Sequence, residues 1–144
     1  MPIAPPQPGM AISYAYLWRG EHEQGREEGA KNRSVVIVLA AKDNEGDTIV
    51  IVAPITHSAP SNPEDAIEIP TATKARLGFD SERSWVVTSE VNRFVWPGPD
   101  LAPVPGNPRR FDYGFLPPRF FKKVTSQIVG RARVRKLKEI RRQD

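Results

Sequence analysis

Two apolar runs joined by a short polar stretch dominate the hydropathy pattern of the chain. Residues 34–41 read SVVIVLAA, and residues 47–53 read DTIVIVA before Pro54, Ile55, Thr56 and His57. The polar residues 42–46 between them end in a glycine and predict a hairpin turn. An antiparallel hairpin sets the start of one strand beside the end of the other. Arg33, just ahead of the first run, is therefore expected at the same sheet edge as Thr56 and His57. The near-continuous Val and Ile content predicts burial on both faces, as a closed barrel or a covered sheet allows.

Shorter patterns flank this hairpin. Residues 11–18 alternate, with Tyr14, Tyr16 and Trp18 on one face, and predict a strand. A polar loop with three glycines follows over residues 19–32. Residues 66–70 and 84–89 predict short strands, and residues 92–96 continue the sheet after a kink. Residues 73–77, stopped by Gly78, predict one helical turn. Five prolines and two glycines make residues 97–108 a loop. A long helix is expected from Pro117–Pro118, with Phe121, Val124, Ile128 and Ala132 as its apolar stripe. Gly130 weakens or ends it, and residues 131–144 continue as a basic helical extension or a frayed tail. The sum is mainly β: a small barrel of five to seven strands with a C-terminal helix. One domain is expected over residues 11–130, after a proline-rich, disordered segment 1–10 and before the basic tail.

Composition narrows the classes. The 144 residues carry a net charge of +4 and no cysteine, which excludes a disulfide framework and a thiolate metal site. No apolar run reaches membrane-spanning length, and the N-terminus lacks the order of a secretory signal. A cytoplasmic protein without membrane association is expected. The loop around Glu21, Glu23, Glu27 and Glu28 is acidic, whereas the C-terminus, from Arg131 to Arg142, is strongly basic. Such a segment attracts polyanions by counterion release, or simply solubilises the chain. No phosphate-binding glycine loop, dinucleotide fingerprint or metal-ligand cluster is present, so neither cofactor nor metal is expected.

Four motifs in order carry a resemblance. They are KNRSVVIV at residues 31–38, PIT at 54–56, SWVVTSEVN at 84–92, and HEQ at 22–24. Over residues 12–129 the chain resembles the MazF/PemK-like toxins. The resemblance implies an SH3-like barrel with a C-terminal helix, acting as a homodimeric, metal-independent endoribonuclease on single-stranded RNA. It also implies a cognate antitoxin whose acidic tail covers the RNA groove. The family's catalytic arginine and threonine match Arg33 and Thr56, and a loop histidine of some members matches His22. The chain departs from the family in three places. Ser34 follows Arg33 where proline is usual, the loop before Arg33 is longer, and Ser89–Glu90 stands where some members carry an aspartate.

The chemistry is compact because RNA brings its own 2′-hydroxyl nucleophile. Cleavage needs a base, an acid and a cation to steady the phosphorane. Arg33 suits the cationic role, since a guanidinium grips two phosphate oxygens at once. Thr56 suits positioning. His22 and His57 are the two histidines able to exchange protons near neutrality, and Glu90 is a further base if burial raises its pKa. Arg93, Asn92, Arg109 and Arg110 are candidates to line an RNA groove, and Trp85, Phe94 and Trp96 to stack on bases. Plainer accounts exist: Arg33 pairing with a loop glutamate, Thr56 closing a turn, His57 on the surface, His22 in a mobile loop, Glu90 and Asn92 capping or bridging strands, Arg109 and Arg110 on a solvated surface, and Trp85 in the core. The alternative function is a lapsed or non-cleaving barrel that binds nucleic acid or antitoxin.

Overall fold

The computed structural model describes residues 5–20, 32–107 and 109–142. Nine strands appear among these residues: β1 Met10–Tyr14, β2 Arg33–Lys42, β3 Thr48–Thr56, β4 Ala66–Glu68, β5 Trp85–Val87, β6 Glu90–Val95, β7 Leu101–Ala102, β8 Asp112–Phe115 and β9 Lys138–Arg141. Two α-helices accompany them, α1 Thr71–Leu77 and α2 Pro118–Arg133. The mainly β class with a C-terminal helix agrees with expectation. The pairings run β4-β5-β3-β2-β1-β7, with β6, β8 and β9 branching off, and they do not return on themselves. The sheet is thus open, not the closed barrel of five to seven strands that the sequence predicted.

The predicted hairpin is the backbone of this sheet. Its turn is held by the Asp43 carboxylate, whose Oδ1 accepts from the amides of Glu45 at 2.9 Å and Asp47 at 3.0 Å. Gly46 supplies the positive φ of 86° that the reversal requires. Register holds from Val35↔Pro54 to Ile37↔Val52, then slips by one residue before Leu39↔Ile51. A bulge of this kind sharpens local twist. Beyond it only one face stays covered: Leu39 is exposed, whereas Val50 remains buried. Burial on both faces therefore holds for the base of the hairpin and fails toward its tip.

Side chains alternate along the strands and feed two cores. Val36 and Ala53 join Leu77, Val86, Leu116, Phe120, Val124 and Ile128 under the helices. Val35, Ile37, Val50 and Val52 face the other way, onto Ile12, Tyr14, Tyr16 and Phe94. Tyr14 and Phe94 stack there with ring centroids 4.5 Å apart. The helix stripe is Phe120, Val124 and Ile128; Phe121 is half-buried and Ala132 exposed. Gly130 does not stop the helix, which continues to Arg133.

Strands also form where the sequence pattern predicted none. β7 lies within the proline-rich loop, and β8 pairs with β1. Residues 138–141, expected in the basic tail, pair with β6 in parallel. At the other end Met10 already belongs to β1, and the Gly9 amide donates to the Ile37 carbonyl at 2.8 Å. Conversely, the strand expected over residues 11–18 ends at Tyr14.

Candidate functional site

Arg33 opens β2 and pairs in register with Tyr14 of β1. Extending the β2–β3 register from Val35↔Pro54 by two residues sets Arg33 opposite Thr56. β3 changes neighbours along its length. Its first half pairs with β6, and Ile55 and Thr56 pair with Val86 and Trp85 of β5. Thr56 is thus held by Trp85 of β5 at the end of β3, next to an opening. Arg33, Thr56 and His57 all line one cleft of about 580 Å³, together with Asp80, Ser84, Arg110, Asp112 and Tyr113.

The environment of each group limits its chemistry. The Arg33 guanidinium lies over the Trp18 ring, 5.3 Å from its centroid, and makes no hydrogen bond or ion pair with another described residue. Its donors remain available to an anion. The Thr56 hydroxyl accepts from the Ser58 amide at 3.1 Å, which closes a turn and leaves the hydroxyl proton free to donate. His57 is held more firmly. Its Nδ1 lies 2.9 Å from the Arg83 carbonyl and 3.2 Å from Ser84 Oγ. Its Nε2 lies 3.1 Å from Asp80 Oδ2 and 3.5 Å from Glu82 Oε2. Both ring nitrogens therefore face acceptors.

The segment that holds His57 is shaped by α1. Gly78 ends that helix in the left-handed conformation, at φ 75°, and its amide bonds back to the last turn. The chain then turns through Asp80 and Glu82 toward β5. Lys74 is buried on α1, and its ammonium donates to the Glu82 carbonyl, tying the segment to the helix. Arg83 faces away and forks onto Glu68, with both nitrogen–oxygen distances 2.8 Å. This hydrogen bonding holds the Glu68 carboxyl below its usual range. His57, Asp80 and Glu82 also bring their ligand atoms within 4.8 Å of one another, which makes them the side chains near the cleft able to hold a cation. All three are exposed, and their mutual pairing already accounts for the arrangement.

Other expected site residues lie elsewhere. His22 falls outside the described residues. Glu90 does not line the cleft; its Oε2 accepts from the Tyr16 hydroxyl at 3.1 Å and the Arg19 amide at 3.0 Å. That contact, after burial, helps push the Tyr16 phenol well above its ordinary pKa. Asn92 cannot reach RNA because it is fully buried, accepting from the Leu17 amide and donating to the Leu17 carbonyl, each at 2.8 Å. Arg93 is 3.8 Å from Glu139 of β9, away from the cleft. Arg110 lines the cleft, whereas Arg109 does not. Phe94 and Trp85 are buried in the fold, which removes them as base-stacking platforms. Asp80, Ser84, Asp112 and Tyr113 escaped the sequence reading. Gly78 was the one local signal, marking a helix end but not where the chain goes next.

A family model described as PemK-like, MazF-like toxin of type II toxin–antitoxin system matches residues 16–94. The matched span exceeds half of the chain and contains Arg33, Thr56, His57 and Asp80, so the chain belongs to this family. No curated protein matches the chain. Arg110 and Asp112 of the cleft, together with α2 and β9, lie beyond the matched residues. No helix among the described residues is long and apolar enough to cross a membrane.

Proposed function

We propose that the chain is the toxin of a type II pair and cleaves single-stranded RNA by attack of the 2′-hydroxyl, without a metal. The observation that carries this is the meeting of Arg33, Thr56 and His57 in one open cleft. Arg33, with its donors unspent, holds the non-bridging oxygens and steadies the added charge of the phosphorane. Thr56 donates its free proton to one of those oxygens and fixes the phosphate. His57 is the proton carrier: the 2′-hydroxyl loses a proton, the 5′-oxygen gains one, and imidazole is suited to such exchange near neutrality. Asp80 orients the ring between turnovers, and Nε2 leaves it to act. The products are a 2′,3′-cyclic phosphate and a 5′-hydroxyl. A homodimer is part of the proposal, with Leu39 and Phe115 among the exposed apolar side chains available to it. An acidic antitoxin segment would occupy the cleft against Arg33 and Arg110. Such a toxin acts in the cytoplasm.

The test is incubation of single-stranded RNA with the purified chain in EDTA, beside Arg33→Ala and Thr56→Ala. Cutting by the wild type alone, with cyclic phosphate ends, is expected; 3′-hydroxyl ends or equal cutting by both variants contradict the proposal. A second reading is a lapsed toxin that only binds its antitoxin. The capping of both His57 nitrogens by neighbouring acceptors favours it. Intact RNA with undiminished antitoxin binding would establish that reading.

A further inference from the structure

Charge is divided unevenly between the cleft and the C-terminal surface. The cleft sets two arginines, Arg33 and Arg110, against two aspartates, Asp80 and Asp112. A near-neutral hollow supplies little of the salt-dependent attraction that dominates affinity for a phosphate backbone. Residues 116–142, by contrast, hold ten lysines and arginines and one acid, Glu139. None of these residues lines the cleft. On α2 the exposed Arg119, Lys122, Lys123 and Arg133 lie opposite the buried Phe120, Val124 and Ile128. Arg135 and Lys136 extend the surface past the helix end, also exposed. None of these six makes an ion pair with another described residue, whereas Arg131 and Arg142 of the same region are each paired with carboxylates.

Two features show cations kept where local stability argues against them. Arg119 lies in the first turn of α2, which has no acidic residue, and Lys122 and Lys123 follow in the second. That end of a helix carries partial positive charge and disfavours cations. Arg135 has φ 59°, the one positive φ among the described non-glycine residues, at a position after a helix where glycine is the relaxed choice. Helix-dipole stabilisation explains the cations in and just after the last turn, but neither the cations at the start of α2 nor the choice of a non-glycine residue at φ 59°.

We propose that the α2–β9 surface is a second nucleic-acid site, a rail for the phosphate backbone of single-stranded RNA that supplies affinity while the cleft supplies chemistry. The reading of the cleft as an RNA-cutting site motivates this proposal. A membrane does not fit, because the apolar face of α2 is already spent on the core. An acidic protein partner fits less well, since protein interfaces centre on buried apolar anchors. Here Val129 and Val134 stand singly between the cations. Sixteen helical residues span about 24 Å, long enough to meet several successive phosphates.

The test measures binding of a 20-nucleotide 2′-methoxy oligouridine, which cannot be cut, across a range of salt concentrations. Each phosphate contact to a single strand contributes about 0.7 to the slope of log K against log salt. Arg119→Gln, Lys122→Gln and Lys123→Gln together should lower that slope by about 2. On cleavable RNA the same variant should raise KM and leave kcat unchanged. Arg135→Gly should raise the melting temperature yet weaken binding, a combination that damage to the fold cannot produce. An unchanged slope in both variants overturns the proposal. So does loss of binding to poly-glutamate with RNA binding intact, which would assign the surface to an acidic protein. A lowered slope in a protein that never cuts RNA would sustain the rail and reject the ribonuclease reading.

Discussion

Arg33 and Arg142 are posed alike and used differently. Each guanidinium lies over an aromatic ring, Arg33 at 5.3 Å from Trp18 and Arg142 at 5.4 Å from Tyr14. Each stands near the β1 strand. Arg142, however, is sealed, with 1% of its side chain exposed. Its Nη1 donates to the Ala15 carbonyl at 2.6 Å and to Asn92 Oδ1 at 3.2 Å, and Asp100 lies 3.0 Å from Nη2. The Asp100 contact lacks hydrogen-bond alignment and acts through charge. Arg33 opens onto a cleft with no oxygen of a described residue bound. A buried cation must be compensated by its own fold. A cation beside solvent can keep its donors for a ligand, so the unspent one marks the site.

The comparison breaks first at Arg142. Arg142→Ala removes the enclosed guanidinium that faces the mostly buried Asp100 and the Ala15 and Asn92 oxygens, and a loss of about 3–5 kcal/mol in urea unfolding is expected. Adding Asp100→Asn should restore part of that loss. Arg33→Ala should do the reverse: unfolding free energy within about 0.5 kcal/mol of wild type, and RNA cleavage lower by about 10²–10³-fold. Comparable destabilisation by both would erase the distinction. Tyr16 sharpens it through pH. Its folded pKa is raised, so its contribution is complete below the unfolded value of about 10 and declines as pH rises beyond that. Unfolding of Tyr16→Phe in alkaline buffers should show a shallower decline than wild type. The smallest effect belongs to Glu68→Gln at the exposed Arg83 pair. Glu68 has a lowered folded pKa, so its contribution is present above the unfolded value of about 4.3 and is lost as pH falls through the folded one. Melting near neutrality should shift only slightly, and acid sensitivity should diminish.

Much of the hairpin was legible because alternation and turn chemistry act locally. The SVVIVLAA run, the DNEG turn and the second apolar run sufficed to place Arg33 near Thr56. The bulge between Ile37 and Leu39 was not legible, since it depends on what the strand packs against. Asn92 shows the other failure. A polar residue on a strand beside aromatics suggests a groove, yet its amide is consumed by the backbone of Leu17, 75 positions away in sequence. Glu90 was misplaced for the same reason, because Tyr16 and Arg19 claim it from a distant segment. β9 was missed because Lys138–Arg141 holds a single buried apolar residue, Ile140, and exists as a strand only through β6.

Local order, then, was written in the chain: the apolar alternation, the turn glycines, the cationic C-terminus and the motifs that mark the toxin family. The partners of each polar group were decided by tertiary contact alone. Hydrogen bonds and ion pairs act over about 3 Å, and residue type does not record which distant atoms will arrive within that range. Folding alone determined that Arg142 would be enclosed, that Asn92 would bind backbone, and that His57 and Asp80 would meet at the mouth occupied by Arg33 and Thr56.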